Sequence, residues 1–280
     1  LKVKFWGTRG SVPVPGSETA IYGGNTTCLE VRLKDNTLII LDAGTGMRNL
    51  GREIMAQNNT TVINLVLTHS HWDHIQGFPF FGPANNPDVK INILGCPGTY
   101  FKLRKILTDQ MEFKYFPLTF DALKSRISFQ EISENNHPVG NAKLSFIELN
   151  HPGTTYGFKL VEENTSFAFL TDNELKPPPP INTPWQNFIK FCENLDLLVH
   201  DAMWTNKELQ SKKGWGHSSM EQVIELAYHA HIKKVVFFHH LPERTDSELV
   251  QIFTETLEKM KPQINATEFY LAKEGEEFIL

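Results

Sequence analysis

The residues best able to do chemistry crowd into one stretch, Thr68-His69-Ser70-His71-Trp72-Asp73-His74. Neutral imidazole and carboxylate are the ligands that zinc and similar divalent ions accept, and three histidines and one aspartate stand here within six residues. A single turn cannot easily direct all four at one tetrahedral ion. The spacing suggests two neighbouring ions, with His69 and His71 on one and Asp73 and His74 on the other. Further ligands must then come from distant parts of the chain. The plain alternative is a polar loop of unrelated surface histidines, and the density of ligand types argues against it.

The elements that must position these residues can be read around them. Val62-Ile63-Asn64-Leu65-Val66-Leu67 is short, aliphatic and β-branched, which predicts a buried strand with the ligands in the loop at its C-terminal end. The arrangement recurs. A strand pattern over residues 142–149 leads to Asn150-His151-Pro152-Gly153, and one over 166–170 leads to Thr171-Asp172-Asn173. Another over 233–238 ends at His239-His240-Leu241-Pro242. One histidine or aspartate at a strand end is usually a turn residue, but the repetition favours ligands.

Between these, a strand over 195–199 runs into His200-Asp201-Ala202-Met203-Trp204, and His217 precedes Ser218-Ser219-Met220-Glu221. Ser218 and Glu221 have the spacing of a capping box, ahead of Val223, Ile224, Ala227 and Ala230 at helical intervals. Strand patterns also cover 3–6, a hairpin at 29–33 and 38–41, 89–94, 127–132, 156–161, 268–272 and 277–280. Helical patterns cover 47–57, 99–108, 184–192 and 246–260.

Other stretches read more blandly. Gly7-Thr8-Arg9-Gly10-Ser11 has the composition of a plain turn, and Asp42 that of a structural turn aspartate rather than a ligand. Residues 77–83 are aromatic and proline-punctuated, either a pocket wall or buried packing. The aromatic stretch 112–120 is irregular and open to either role. Lys176-Pro177-Pro178-Pro179-Pro180 is stiff and, because strand patterns resume beyond it, reads as a surface loop rather than a linker.

Composition bounds the rest. The chain has 280 residues, 40% hydrophobic and 21% charged, as expected for a globular protein with a sizeable core. Its net charge of −5 weighs against general nucleic-acid binding, which leaves a basic footprint. Cys28, Cys96 and Cys192 form no C-x-x-C pair and an odd set, which fits buried thiols in a reducing compartment. No stretch is long and apolar enough to span a bilayer, and Leu1-Lys2-Val3-Lys4-Phe5-Trp6 reads as a strand rather than a signal peptide. The expectation is a cytoplasmic protein with no membrane partner.

The sequence around residue 70 resembles the H-x-H-x-D-H signature of the metallo-β-lactamase superfamily. The similarity runs along nearly the whole chain, through the glycine loop, Leu41-Asp42-Ala43-Gly44, His151, Asp172 and His239. It implies an α/β fold, a four-layer αββα sandwich, spanning 1–280 as a single domain. It also implies two divalent ions, Zn first and Mn or Fe as alternatives. His69, His71 and His151 would hold one, Asp73, His74 and His239 the other, with Asp172 bridging; His240 could replace His239. Asp73 could also orient the nucleophile.

The second half resembles the ribonuclease Z-like phosphodiesterases, in which a histidine steered by a carboxylate protonates the leaving alkoxide. His217 and Asp201 match those positions. No long glycine- and proline-rich insertion resembles the tRNA-gripping arm of ribonuclease Z, and the N-terminal and His239-His240-Leu241-Pro242 segments look closer to relatives grouped with cyclic-nucleotide phosphodiesterases. The expected activity is therefore metal-dependent hydrolysis of a small phosphodiester such as a cyclic nucleotide, with long nucleic acid disfavoured. An RNA-processing endonuclease of ribonuclease Z type is the alternative, and a metal- or nucleotide-binding sensor without turnover is the rival from another class. A lactamase or thioesterase has no need of the Asp201–His217 acid. Relatives are often dimers, which leaves a homodimer open, although no stretch of the sequence marks an interface.

Overall fold

The computed structural model describes residues 1–97, 99–264 and 266–280. Two seven-stranded sheets form its centre. The first runs in the order Glu277–Ile279, Lys2–Gly7, Cys28–Arg32, Leu38–Leu41, Val62–Val66, Lys90–Gly95 and Arg126–Glu131. Its last four strands are mutually parallel and the others antiparallel. The second runs Glu268–Leu271, Lys234–Phe238, Leu197–Asp201, Thr165–Leu170, Tyr156–Glu162, Ala142–Glu148 and His137–Val139. Here the first four are parallel and the rest alternate in direction.

Period-two alternation decides what each face of each sheet touches. Ile39 and Leu41 of one strand, with Phe167, Phe169, Val236 and Phe238 of the other sheet, fill the core between the sheets. Their neighbours Leu38 and Ile40 point outward to Met47, Leu50 and Ile54 of the helix Met47–Gln57. On the far side Ala168, Val235 and Phe237 meet Val223, Ile224 and Ala227 of the helix Met220–Ala230 and Leu249 of Asp246–Lys259. Strands apolar on both faces need helices on both outer surfaces. The result is the expected αββα sandwich.

The predicted elements are recovered with shifts of one or two residues at their ends, and the strand His137–Val139 adds to them. One detail is corrected. The helix Met220–Ala230 is capped by Ser219, whose hydroxyl accepts from the Gln222 amide, and not by a Ser218–Glu221 box. Ser218 Oγ instead donates to the Asn173 carbonyl and accepts from Leu175 N–H. Complete capping boxes do occur at Thr205 with Glu208 and at Thr245 with Glu248. In the aromatic stretch 77–83, Phe78 and Phe81 are buried in the outer core, while the exposed Phe80 and Gly82 line a surface groove with Trp6 and Arg52, so it both packs and lines a pocket. Among the described residues no helix is long and apolar enough to cross a membrane.

Candidate metal centre

Parallel strands bring their C-terminal ends to one edge, and the ligand-type residues sit there. Asp42 follows the strand Leu38–Leu41, residues 69–74 follow Val62–Val66, and His151 follows Ala142–Glu148. Asp172 lies just past Thr165–Leu170, and His239 directly after Lys234–Phe238. Asp42, Asp172 and His239 all have positive φ, 61°, 53° and 57°. A side chain held in this left-handed region costs roughly 1–2 kcal/mol, so three such turns at one edge are sustained by their surroundings.

Among the described residues three groups of ligand-type atoms converge; besides Asp201, His217 and His239 there are two larger sets. One is His69, His71, His151 and Asp172, and the other is Asp73, His74, Asp172 and His239; within each set the atoms lie within 4.8 Å of one another. Asp172 belongs to both. Its carboxylate is 3.8 Å from His69 Nε2 and 3.7 Å from His151 Nε2, and 3.2 Å from His74 Nε2 and 3.3 Å from His239 Nε2 on the other side. Asp73 Oδ2 lies 3.2 Å from His74 Nε2 and 3.3 Å from His239 Nε2. All the expected ligand residues are therefore together. His240 is not among them: its buried ring donates from Nε2 to the Ala272 carbonyl at 2.8 Å.

The electrostatics of the cluster suit cations. Burial pushes the His69 imidazole well below its ordinary value and the His151 imidazole down to about 4, so both are neutral. Burial works against the carboxylates of Asp172 and Asp73, yet the neighbouring imidazoles, His239 and His74 for the first and His74 and His239 for the second, hold both well below the usual range. At His74 burial is outweighed by Asp73, Asp172 and Asp42, which raise its imidazole. Buried His69 Nε2 and His74 Nε2 have no hydrogen-bond partner. Orphaned imidazole nitrogens facing a shared carboxylate are a donor set that fits divalent ions.

A second layer orients these rings. Asp42 accepts from His74 Nδ1, from Thr68 N–H and from Thr68 Oγ1, each at 2.8 Å. His151 Nδ1 donates to the Gly216 carbonyl at 3.0 Å. Carboxylate and carbonyl partners of this kind fix the tautomer of a ligating histidine. Reading Asp42 as structural was right in kind, but its link to His74 spans 32 positions and left no local trace.

The glycine loop near the N-terminus is more than a turn. Ser11 N–H donates to Asp73 Oδ2 at 2.8 Å, and a Cβ on Gly10 would stand 2.5 Å from His239 Cε1. Only glycine lets this backbone approach the ring so closely. Arg9, wholly buried, ties the loop down through Gly23, Leu241 and Arg244 carbonyls and Asp246.

His217 and Asp201 also meet. His217 Nδ1 donates to Asp201 Oδ2 at 2.6 Å, while the Asn173 and Met203 amides satisfy the same carboxylate. The His217 ring stacks on His239 with centroids 5.1 Å apart and lies edge-on to His151 at 5.2 Å. Burial opposes its charged form, but Asp201 outweighs burial and pushes His217 up to about 9. The hydroxyls of Ser218 and Ser219 are engaged within the protein, Ser219 with Asn206 and Gln222.

With this geometry the comparisons can be weighed. The family model for the beta-lactamase superfamily domain matches residues 37–240, well over half of the chain. The chain belongs to that superfamily. Among curated superfamily relatives, Ribonuclease Z of Picrophilus torridus is 25% identical, covering 99% of this chain and 95% of that protein. In three dimensions the chain is similar to human tRNase Z, short form, with a TM-score of 0.66 at 17% identity, covering 100% and 99% of the two chains. It is also similar to unliganded yeast PDE1, with a TM-score of 0.72 at 14% identity and the same coverage. These likenesses establish the metallo-β-lactamase fold. The curated relatives are hydrolases of this superfamily, and several are ribonucleases by name. That weighs against the expectation that long nucleic acid is disfavoured as a partner.

Proposed function

We propose that the chain is a dinuclear metal-dependent phosphodiesterase. His69, His71 and His151 would hold one cation, Asp73, His74 and His239 the other, and Asp172 would bridge them. Zn²⁺ suits this histidine–carboxylate set first, Mn²⁺ or Fe next. Two such ions would supply Lewis-acid polarisation and lower the pKa of a water towards about 7. The observation that carries the phosphodiester reading is the His217–Asp201 pair, stacked on His239 and in edge contact with His151. Breaking a phosphodiester expels an alkoxide, a poor leaving group that needs a proton. Asp201 accepts the Nδ1 hydrogen of His217 and favours its charged form, leaving Nε2 as the nitrogen that would deliver the proton to the alkoxide. Asp73, anchored by the Ser11 amide, would orient the nucleophile.

The test is hydrolysis of bis(p-nitrophenyl) phosphate by metal-loaded protein. We expect chelation to abolish turnover. His217→Ala should reduce kcat by about 10²–10⁴-fold on a cyclic nucleotide, whose leaving alkoxide needs the proton, and far less on the p-nitrophenyl ester, whose phenolate leaves without one, with metal content unchanged. Full activity of that variant on the cyclic nucleotide would remove the acid from the reading. Cyclic nucleotides are the next substrates. A second reading, an RNA-processing endonuclease of ribonuclease Z type, is favoured by curated relatives that match along almost their whole length. Cleavage restricted to structured RNA and falling steeply with salt would select it.

A further inference from the structure

The proposed acid His217 stands at the end of a surface segment, Ser211 to Gly216, in which Ser211, Lys213, Gly214 and Trp215 are exposed. Gly214 and Gly216 both have positive φ, 84° and 83°. Two glycines so close together leave the backbone many alternatives to the path it takes. Within the segment the Lys212 ammonium lies over the Trp215 ring at 4.1 Å and over the Trp204 ring at 5.7 Å. An exposed contact of this kind is worth about 0.5–1 kcal/mol, too little to fix a backbone alone.

The stronger tie is Glu174, a wholly buried residue that no step above has used. Its Oε2 accepts from both the Gly214 and the Gly216 amides, at 2.8 and 3.2 Å. Two amides converging on one oxygen fix the direction of both peptide planes. Glu174 is itself anchored, because its amide donates to the Asn150 carbonyl at 2.9 Å and its carbonyl accepts from Asn150 Nδ2 at 3.1 Å. Asn150 immediately precedes His151. On the other side of that histidine, the Gly216 carbonyl accepts from His151 Nδ1 at 3.0 Å, and a Cβ on Gly216 would stand 2.3 Å from the same nitrogen. Glu174 therefore grips the turn before His151 with its backbone and the segment behind His151 with its side chain. Among the described residues, Glu174 and His151 supply the only side chains outside the segment that hydrogen-bond the backbone of 214–216.

We infer that Glu174 is a positioning residue, whose carboxylate seats segment 214–216 against His151 and thereby holds the His217 ring in its place beside His151 and His239. The inference rests on the phosphodiesterase reading and names what keeps its acid in position.

The test compares Glu174→Ala, which removes the acceptor, with Glu174→Gln, whose amide oxygen can take the place of Oε2. At saturating Zn²⁺, kcat and KM are measured on two substrates. Adenosine 2′,3′-cyclic phosphate has a leaving alkoxide that needs a proton, and bis(p-nitrophenyl) phosphate has a phenolate that does not. Glu174→Ala should lose at least tenfold in kcat on the cyclic nucleotide with KM within threefold, and less than threefold in kcat on the p-nitrophenyl ester. Glu174→Gln should stay within threefold of wild type on both. Equal losses on the two substrates in the alanine variant, or no loss on the cyclic nucleotide, overturn the inference. So does a glutamine variant as impaired as the alanine one. A second readout needs no turnover. In the zinc-loaded protein the His217 Nδ1 proton, donated to Asp201 at 2.6 Å, should give a downfield NMR resonance that His217→Ala lacks. It should be lost to exchange in Glu174→Ala and persist in Glu174→Gln, and its retention in the alanine variant overturns the inference. Where wild type cleaves neither substrate the phosphodiesterase reading fails, while the resonance still decides the role of Glu174.

Discussion

At the scale of single residues, the backbone of the ligand turns makes a separable prediction. Asp172 has φ of 53°, which alanine resists and glycine adopts freely. Asp172→Gly and Asp172→Ala should both lose activity and bound metal, because the carboxylate shared by the two ligand sets is gone. The glycine variant should be the more stable by about 1 kcal/mol, read from urea midpoints of the two metal-free proteins. Asp42 allows a similar separation. It touches neither set of ligand atoms directly yet holds His74 Nδ1, so Asp42→Asn should weaken metal affinity roughly 10–100-fold, measured by competition with a chromophoric chelator. Unchanged affinity would show that His74 needs no carboxylate behind it.

At the scale of elements, the loop 7–11 is the part whose role the sequence concealed. Its composition is that of a turn, and only the fold reveals that Gly10 lies against His239 and Ser11 against Asp73. Gly10→Ala should displace the His239 ring and lower metal content, with a smaller effect on the melting transition than the loss of activity implies. The candidate ligands at strand ends were legible because each combines a β-branched run with a ligand type just beyond it, a local pattern. The partners that orient them were not, since Asp42 with His74, Gly216 with His151 and Arg9 with Asp246 are paired by topology across the chain. The capping register near Ser218 was misread because Ser218 and Ser219 are both good caps. The tie is broken by Ser218 being engaged with Asn173 and Leu175.

At the scale of the molecule, buried histidines outside the centre set a pH limit. Burial pushes His240 down to about 3, with Arg9 and Arg244 adding to the effect, while its bond to Ala272 offsets it only in part. His200 is lowered by burial as well. In the unfolded chain both titrate near 6.5. Above that value both states are neutral and these rings contribute no pH dependence. Below it the unfolded state takes up protons that the fold refuses, so stability falls as pH drops from about 6.5 towards the folded value. The slope approaches about 1.4 kcal/mol per unit for each such ring. Urea midpoints of metal-free protein between pH 7 and 4.5 should decline accordingly, and His240→Asn should flatten the decline. A flat profile in the wild type would contradict this account.

The two ligand sets draw on both sheets: residues 69 to 74 come from one, while His151, Asp172 and His239 come from the other. A pair of cations held there would act as a reversible cross-link between chain segments from residue 69 to residue 239. Saturating metal at a hundred times its dissociation constant would add about 2.7 kcal/mol per ion to the resistance to unfolding. Inside a cell the same linkage makes the lifetime of the polypeptide a function of metal supply. Copies that fail to load open more often and fall first to proteases, so starvation for the ion would be read as a fall in abundance before it is read as a fall in specific activity.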